Sequence, residues 1–250
     1  MKTQKNADNF SSMIYGKHPF FLALKNRSLD FEKIYTSNIN ELEDFIAKNA
    51  IKLGKNLINI KSNFELNKIF PNINHQGYIG YLRKRKYLDF QDFVNKKCGN
   101  KNDLPRIVIL DQLTDPHNIG AIIRTCLAFD VKYIIKTKYN SPKDTAIISK
   151  TSAGLSEFIN IIEVQNLNNA IKSLKEIGYF VIGLAGEAKN DIKTLNNSTN
   201  IAIVVGSEGN GIRPLVKKNC DMLYKITMAN EVESLNVSVA TAIVIYKLWG

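Results

Sequence analysis

Short runs of consecutive apolar residues, separated by longer stretches with helical periodicity, set the pattern of the second half of this chain. After Pro105 comes Arg106-Ile-Val-Ile-Leu110, the short apolar type expected of a parallel strand buried on both faces. Similar runs at 133–135, 179–184, 201–205 and 223–226 predict further strands, and 119–129, 167–177 and 235–249 read as helices. That alternation predicts a parallel sheet covered by helices. From Ile14 to Leu82 the pattern is finer: a helix at 19–25, a strand at 33–36 and a helix at 39–49 predict a small, compact α/β module.

With 250 residues, 44% of them hydrophobic, the chain has enough apolar material for two separate cores. The reading divides it into a flexible polar tail at 1–12, a first domain at 13–85, a linker at 86–104 and a second domain at 105–250. The basic cluster Arg83-Lys-Arg-Lys86 marks the joint, and the polar stretch from Lys96 to Asp103 has too few apolar residues to pack.

Charge adds direction. The formal net charge is +11, and residues 1–105 hold 18 Lys and Arg against 10 Asp and Glu, so the basic half is the first half. Such a field draws in phosphate backbones, although an anionic membrane surface satisfies it equally well. No apolar run resembles a secretory signal or reaches the roughly 18 residues of a membrane helix, so a soluble cytoplasmic protein is expected. Cys98, Cys126 and Cys220 are widely spaced and fit free thiols, while His18, His75 and His117 are too scattered for a metal site, so no metal is expected.

In open parallel sheets, ligands collect where strands end and helices begin. Leu110 leads into Asp111-Gln-Leu-Thr-Asp-Pro-His-Asn-Ile-Gly-Ala-Ile-Ile-Arg124, Val205 into Gly206-Ser-Glu-Gly-Asn-Gly211, and Ile226 into Thr227-Met-Ala-Asn-Glu-Val-Glu-Ser-Leu-Asn-Val-Ser238. The first reads as a turn closed by Pro116, with Asn118 as helix N-cap and Gly120 allowing close backbone approach. By position alone, Arg124 reads as an exposed arginine paired with a neighbouring acid. The glycine-rich second segment continues Ile-Arg and so fails the triphosphate-loop signature; both a tight turn and a ligand loop remain open. Ser234 and Asn236 precede the nearly all-apolar stretch 237–249, and capping accounts for one of them. That stretch is too short to cross a bilayer and too apolar to face water, which suggests burial or a subunit interface.

In this order and at these separations the three segments resemble the three motifs of the SpoU branch of SPOUT-class RNA 2'-O-ribose methyltransferases. The resemblance runs from Leu104 to the end, and Ile148-Ser-Lys-Thr-Ser-Ala-Gly-Leu-Ser-Glu157 looks like the family's connecting stretch. Ile14-Tyr-Gly-Lys-His-Pro19 and His75-Gln-Gly77 are similar to the small RNA-binding domain, itself like a ribosomal-protein fold, of the 23S rRNA guanosine 2'-O-methyltransferases. The resemblance implies an α/β fold in which a C-terminal parallel-sheet SPOUT domain with a deep trefoil knot follows that RNA-binding domain. It also implies S-adenosyl-L-methionine as cofactor, ribosomal RNA as partner and a homodimer that completes the active site.

Carried over residue by residue, Asn118 and Arg124 match the functional pair of the first motif, Glu208 the acid of the second, and Ser234 and Asn236 those of the third. Gly206, Ile226 and Leu235 match cofactor-binding positions, where main-chain groups would make the contacts. The chain departs from the pattern at Thr227, where the family has proline, and at Asn230, where glycine is common. A guanidinium stays protonated, so Arg124 is expected to grip the target phosphate or stabilise charge on the ribose oxygen, with Asn118, Ser234 and Asn236 orienting the nucleotide. Glu208 is expected to orient Arg124 or the loop backbone. A transfer-RNA methyltransferase of the same family and a noncatalytic RNA-binding or ribosome-assembly protein are the rival readings.

Overall fold

The computed structural model describes residues 12–83, 87–97, 104–139, 146–195, 200–229, 232 and 234–250. The expected tail at 1–11, Cys98, most of the 96–103 stretch, Arg85 and Asn230 lie outside the described residues. In chain order the elements begin β1 (Ser12–Tyr15), α1 (Lys17–Arg27), β2 (Phe31–Thr36), α2 (Ile39–Lys48), β3 (Ile58–Ile60), α3 (Asn63–Ile69), β4 (Tyr78–Leu82) and α4 (Phe90–Lys97). They continue β5 (Ile107–Asp111), α5 (Pro116–Ala128), β6 (Tyr133–Thr137), α6 (Ala146–Thr151), β7 (Asn160–Val164), α7 (Leu167–Glu176) and β8 (Phe180–Leu184). The last are β9 (Asn190–Asp191), β10 (Ile201–Gly206), α8 (Pro214–Asn219), β11 (Met222–Lys225) and α9 (Val237–Trp249).

Contacts divide the chain into two units, Met1–Lys86 with Asp144–Glu157, and Tyr87–Lys143 with Phe158–Gly250. In the first unit a four-stranded sheet has the order β1-β4-β2-β3, with β4 antiparallel to both neighbours and β3 parallel to β2. Phe20, Leu24, Phe31, Ile34, Leu42 and Tyr78 form one core, and Tyr15, Leu66 and Ile79 a second. Consecutive β4 residues Tyr78 and Ile79 therefore enter different cores, as the two-residue side-chain period of a strand requires. The segment that resembles the family's connecting stretch belongs here: α6 packs on β1, and Glu157 pairs with Arg27 at 2.8 Å. A helical turn and a carboxylate with partners far away in sequence leave no local periodic signal, so this grouping was not legible in the sequence.

The second unit holds a seven-stranded sheet ordered β7-β6-β5-β10-β8-β11-β9, in which every pairing is parallel. All residues of β5 and of β10 are buried, because helices cover both faces of a parallel sheet. On one face Ile107, Ile109, Val204 and Val181 pack against Leu167, Ile171 and Leu174 of α7, whose buried positions follow helical spacing. Helices α5 and α9 pack against each other. The stretch expected to be a linker contains α4, whose Phe93 enters the same core as α7. Among the described residues no helix is long and apolar enough to cross a membrane.

One feature of this topology positions the chemistry. β5, β10, β8 and β11 are consecutive neighbours and run in one direction, so their C-terminal ends share one sheet edge. From that edge leave the segments 112–115, 207–213, 185–189 and 226–235.

Candidate active site

Asn118, Glu208 and Asn236, one from each of the three segments, meet in a single hydrogen-bonded cluster. Asn118 Nδ2 donates to Glu208 Oε1 at 3.0 Å, and Asn236 Nδ2 donates to the same oxygen at 2.6 Å and to Asn118 Oδ1 at 2.9 Å. Two amides thus converge on one carboxylate oxygen. Asn118 is buried, whereas Glu208 and Asn236 are exposed, so the cluster opens to solvent on one side.

The expected N-cap of α5 is corrected. Asp115, not Asn118, caps the helix: its carboxylate accepts from the His117 amide at 2.9 Å, and Pro116 takes the first helical position. Proline suits that position because its fixed φ is already helical and its missing N–H would have had no partner there. The helix therefore begins three residues before its expected start at 119, and Asn118 sits inside the first turn. Released from capping, its amide is available to Glu208. At the other helix Asn236 has two engagements at once: its Oδ1 caps α9 by accepting from the Ser238 amide at 2.9 Å while its Nδ2 joins the cluster.

The second segment is fixed from both ends. Ser207 and Gly211 exchange two backbone hydrogen bonds at 2.9 and 3.1 Å, which fold 207–211 into a tight loop. Gly206, the last residue of β10, faces that loop so closely that a Cβ would lie 2.0 Å from the Gly211 carbonyl carbon and 2.2 Å from the Ile212 nitrogen. Beyond the loop, Arg213 binds the fully buried Asp111 carboxylate through its backbone N–H at 2.9 Å, Nε at 2.8 Å and Nη2 at 2.8 Å. The sequence reading assigned no role to Asp111 and Arg213. The available signal was a carboxylate closing an otherwise apolar strand, which must find partners when buried.

Ile226, Leu235 and Ser234 come together elsewhere along this edge, lining a cavity of about 150 Å³ with Leu184, Ala185 and Met228. Leu184 ends β8, and Ala185 opens the following loop, which the sequence reading passed over. Thr227, the departure from proline, gives its hydroxyl to the Asp191 carboxylate and so anchors the third segment to β9. Gly206 is not part of the cavity lining.

Arg124 stands apart. It lies on the exposed face of α5, and its side chain has no hydrogen bond or ion pair among the described residues, contrary to the paired surface arginine expected from position alone. Six residues along a helix leave two side chains roughly 120° apart around its axis, so Arg124 and Asn118 lie on different faces of α5. Burial pushes the Cys220 thiol up to about 12 and raises that of Cys126 further, which removes both as nucleophiles. Among the described residues no group of three or more His, Cys, Asp or Glu side chains is placed to hold a metal ion.

Residues 13–88 match the family model described as RNA 2'-O ribose methyltransferase substrate binding, and residues 105–246 match that of the SpoU rRNA Methylase family. A Vibrio vulnificus protein named 23S rRNA (guanosine-2'-O-)-methyltransferase RlmB is 40% identical over 177 residues, covering 70% of each chain. A Synechocystis protein described as an uncharacterized tRNA/rRNA methyltransferase is 30% identical over 98% of this chain, which spans just under two thirds, 64%, of that longer protein. In fold the chain is similar to an AdoMet-bound rRNA methyltransferase from Sinorhizobium meliloti, with a TM-score of 0.77, 19% identity and coverage of 98% of this chain and 89% of that one. The larger family model takes in more than half of the chain and all three segments that meet at the sheet edge, so this protein belongs to the SpoU rRNA Methylase family.

Proposed function

We propose that this protein transfers a methyl group from S-adenosyl-L-methionine to the 2'-hydroxyl of a guanosine in 23S ribosomal RNA. The observation that carries the reading is the convergence of Asn118, Glu208 and Asn236 at the edge from which the cavity-lining loops also leave. The substrate follows from the family model matched by the first unit and from the name of the Vibrio relative. The same substrate puts the protein in the cytoplasm.

The cavity's properties agree with part of such a cofactor. Its volume of about 150 Å³ is below the roughly 300–1,000 Å³ of pockets that enclose a whole small ligand, so it suits a flat ring rather than the entire molecule. Leu184, Ala185, Ile226, Met228 and Leu235 offer apolar walls to such a ring, with main-chain groups left to orient its nitrogens. When bound, S-adenosyl-L-methionine supplies an electrophilic sulfonium methyl. Asn118 and Asn236, held by Glu208, would orient the ribose, and Ser234 at the cavity wall would face the cofactor. Gly206 would act indirectly by setting the position of the loop that carries Glu208.

The separation of Arg124 from the cluster is explained if a second copy of the chain supplies it. Such a homodimer would also cover Val239, Ile243 and Tyr246, which form an exposed stripe at helical spacing on α9, 38–67% exposed. In this reading Arg124 grips a target phosphate, and the chain segments at the sheet edge form the knotted loops characteristic of the fold.

The deciding experiment incubates the protein with labelled S-adenosyl-L-methionine and unmodified 23S rRNA or transfer RNA, then analyses nucleosides by mass spectrometry. 2'-O-methylguanosine in the ribosomal RNA is expected. Methylation of transfer RNA alone would move the substrate to that class, and calorimetry without any cofactor binding would leave a noncatalytic RNA-binding protein.

A further inference from the structure

We infer that the first unit carries a pocket for one unstacked guanine base of the RNA, between α1 and α2; the inference rests on the RNA substrate proposed above. A concavity of about 660 Å³ opens there, within the range of pockets that enclose a small ligand. Phe21 and Phe45, both half-buried, form its apolar wall, with ring centroids 4.5 Å apart and Tyr78 a further 4.8 Å from Phe21. Partly open aromatic rings are the surfaces on which splayed RNA bases stack.

The rim carries both charges. Lys17, His18 and Lys48 are exposed around the opening, where flanking phosphates would lie. The start of α1 is pinned because the Lys17 amide donates to Gln76 Oε1 at 3.0 Å. Two carboxylates also face the pocket, and they differ. Glu41 is already engaged, accepting from Lys17 Nζ at 2.5 Å and from the Tyr78 hydroxyl at 2.5 Å. Asp44 is exposed and has no side-chain partner among the described residues. An ionised carboxylate only accepts hydrogen bonds. Guanine presents two adjacent donors on its pairing edge, N1–H and the 2-amino group, whereas uracil presents a single N3–H between two carbonyls. Stacking on Phe45 with Asp44 across the pairing edge therefore selects guanine over uracil.

The test measures fluorescence anisotropy of the whole 250-residue chain with labelled oligouridine carrying one central guanosine, uridine or abasic ribose. The parent is expected to prefer the guanosine strand. Asp44→Asn should remove that preference while leaving the uridine strand unaffected, and Phe45→Leu should weaken the guanosine strand about fivefold or more. Lys48→Glu should weaken all three strands and flatten their salt dependence. Equal affinity of the parent for the three strands, or a preference undiminished in Asp44→Asn, overturns the pocket; these two measurements stand even if Phe45→Leu fails to fold. Methyl transfer to unmodified 23S rRNA is assayed with the same protein preparations. A parent that transfers methyl groups without the preference overturns the pocket alone, and one with the preference but no transfer overturns the methyltransferase reading alone.

Discussion

Asn236 Nδ2 and Glu208 Oε1 lie 2.6 Å apart, joining two loops through an amide whose other end caps α9. One side chain thus fixes both the start of the last helix and the carboxylate that orients Asn118. The position of the helix and the geometry of the cluster are coupled through that single residue.

Glu208→Ala removes the acceptor shared by Asn118 and Asn236. A lost charge-assisted hydrogen bond is worth about 1.5–3 kcal/mol, so kcat/KM should fall by roughly 10- to 150-fold. Circular dichroism should remain that of the parent, because Glu208 is exposed. Turnover within twofold of the parent would show that the cluster does not serve the reaction.

Gly206→Ala forces a methyl group against the main chain of Gly211 and Ile212, which cannot rotate away as a side chain could. The loop 207–211 must shift and carry Glu208 with it. Isothermal calorimetry and turnover should both show loss, while Ser207→Ala, whose loop contacts are backbone, should behave as the parent. Undiminished activity in Gly206→Ala would show that the loop's position is not critical.

Asp111→Ala leaves the Arg213 backbone amide and guanidinium without their buried acceptor. Breaking a fully buried pair costs about 3–5 kcal/mol; because the Arg213 side chain is 40% exposed, about 2–3 kcal/mol is expected by urea denaturation. Asp111→Asn keeps an acceptor for the amide and should lose less. An unchanged midpoint for Asp111→Ala would rule out this anchor.

Arg124→Ala and Glu208→Ala should each be impaired at least tenfold alone yet complement each other when mixed and refolded together. If Arg124 of one copy serves the cluster of another, half of the dimers are mixed and each has one intact site, so about a quarter of parental turnover should return. No recovery would place Arg124 in the site of its own chain or outside the reaction altogether. Turnover near that of the parent in Arg124→Lys would show that a planar guanidinium is not required.

His75 is buried, its Nε2 2.9 Å from Asn67 Oδ1 and its Nδ1 accepting from the Gly77 amide at 3.0 Å. Burial lowers its pKa below the ordinary 6.5, so the folded state holds the neutral ring. Its contribution is complete above pH 6.5 and is lost as pH falls from 6.5 toward the depressed folded value, where only the unfolded chain takes up the proton. Urea midpoints of the parent should therefore drop more than those of His75→Gln across that interval. Parallel pH profiles for the two proteins would exclude this role. Gly77 must remain glycine in either case, since at φ 84° a Cβ would lie 2.6 Å from Ser37 Oγ.

The parallel sheet was legible because β5 and β10 are buried on both faces, and continuous apolar runs report that burial directly. The three site segments were legible as chain turns following such runs, and their order identified the family. β3 and β9 went unread because strands of two or three residues carry little periodic signal, and β1, β4 and β7 went unread with them.

Local pattern determined which segments form strands and helices and which turns carry polar chemistry. Tertiary structure decided that Asn118 is freed from capping by Asp115, that Asn236 both caps and clusters, that Asp111 anchors Arg213, and that Arg124 lies on a different face of α5 from Asn118. Those outcomes depend on the strand order β5-β10-β8-β11, which brings together residues as far apart as Asn118 and Asn236. Hydrophobic periodicity records the burial of each position but contains no term for which distant strand becomes its neighbour.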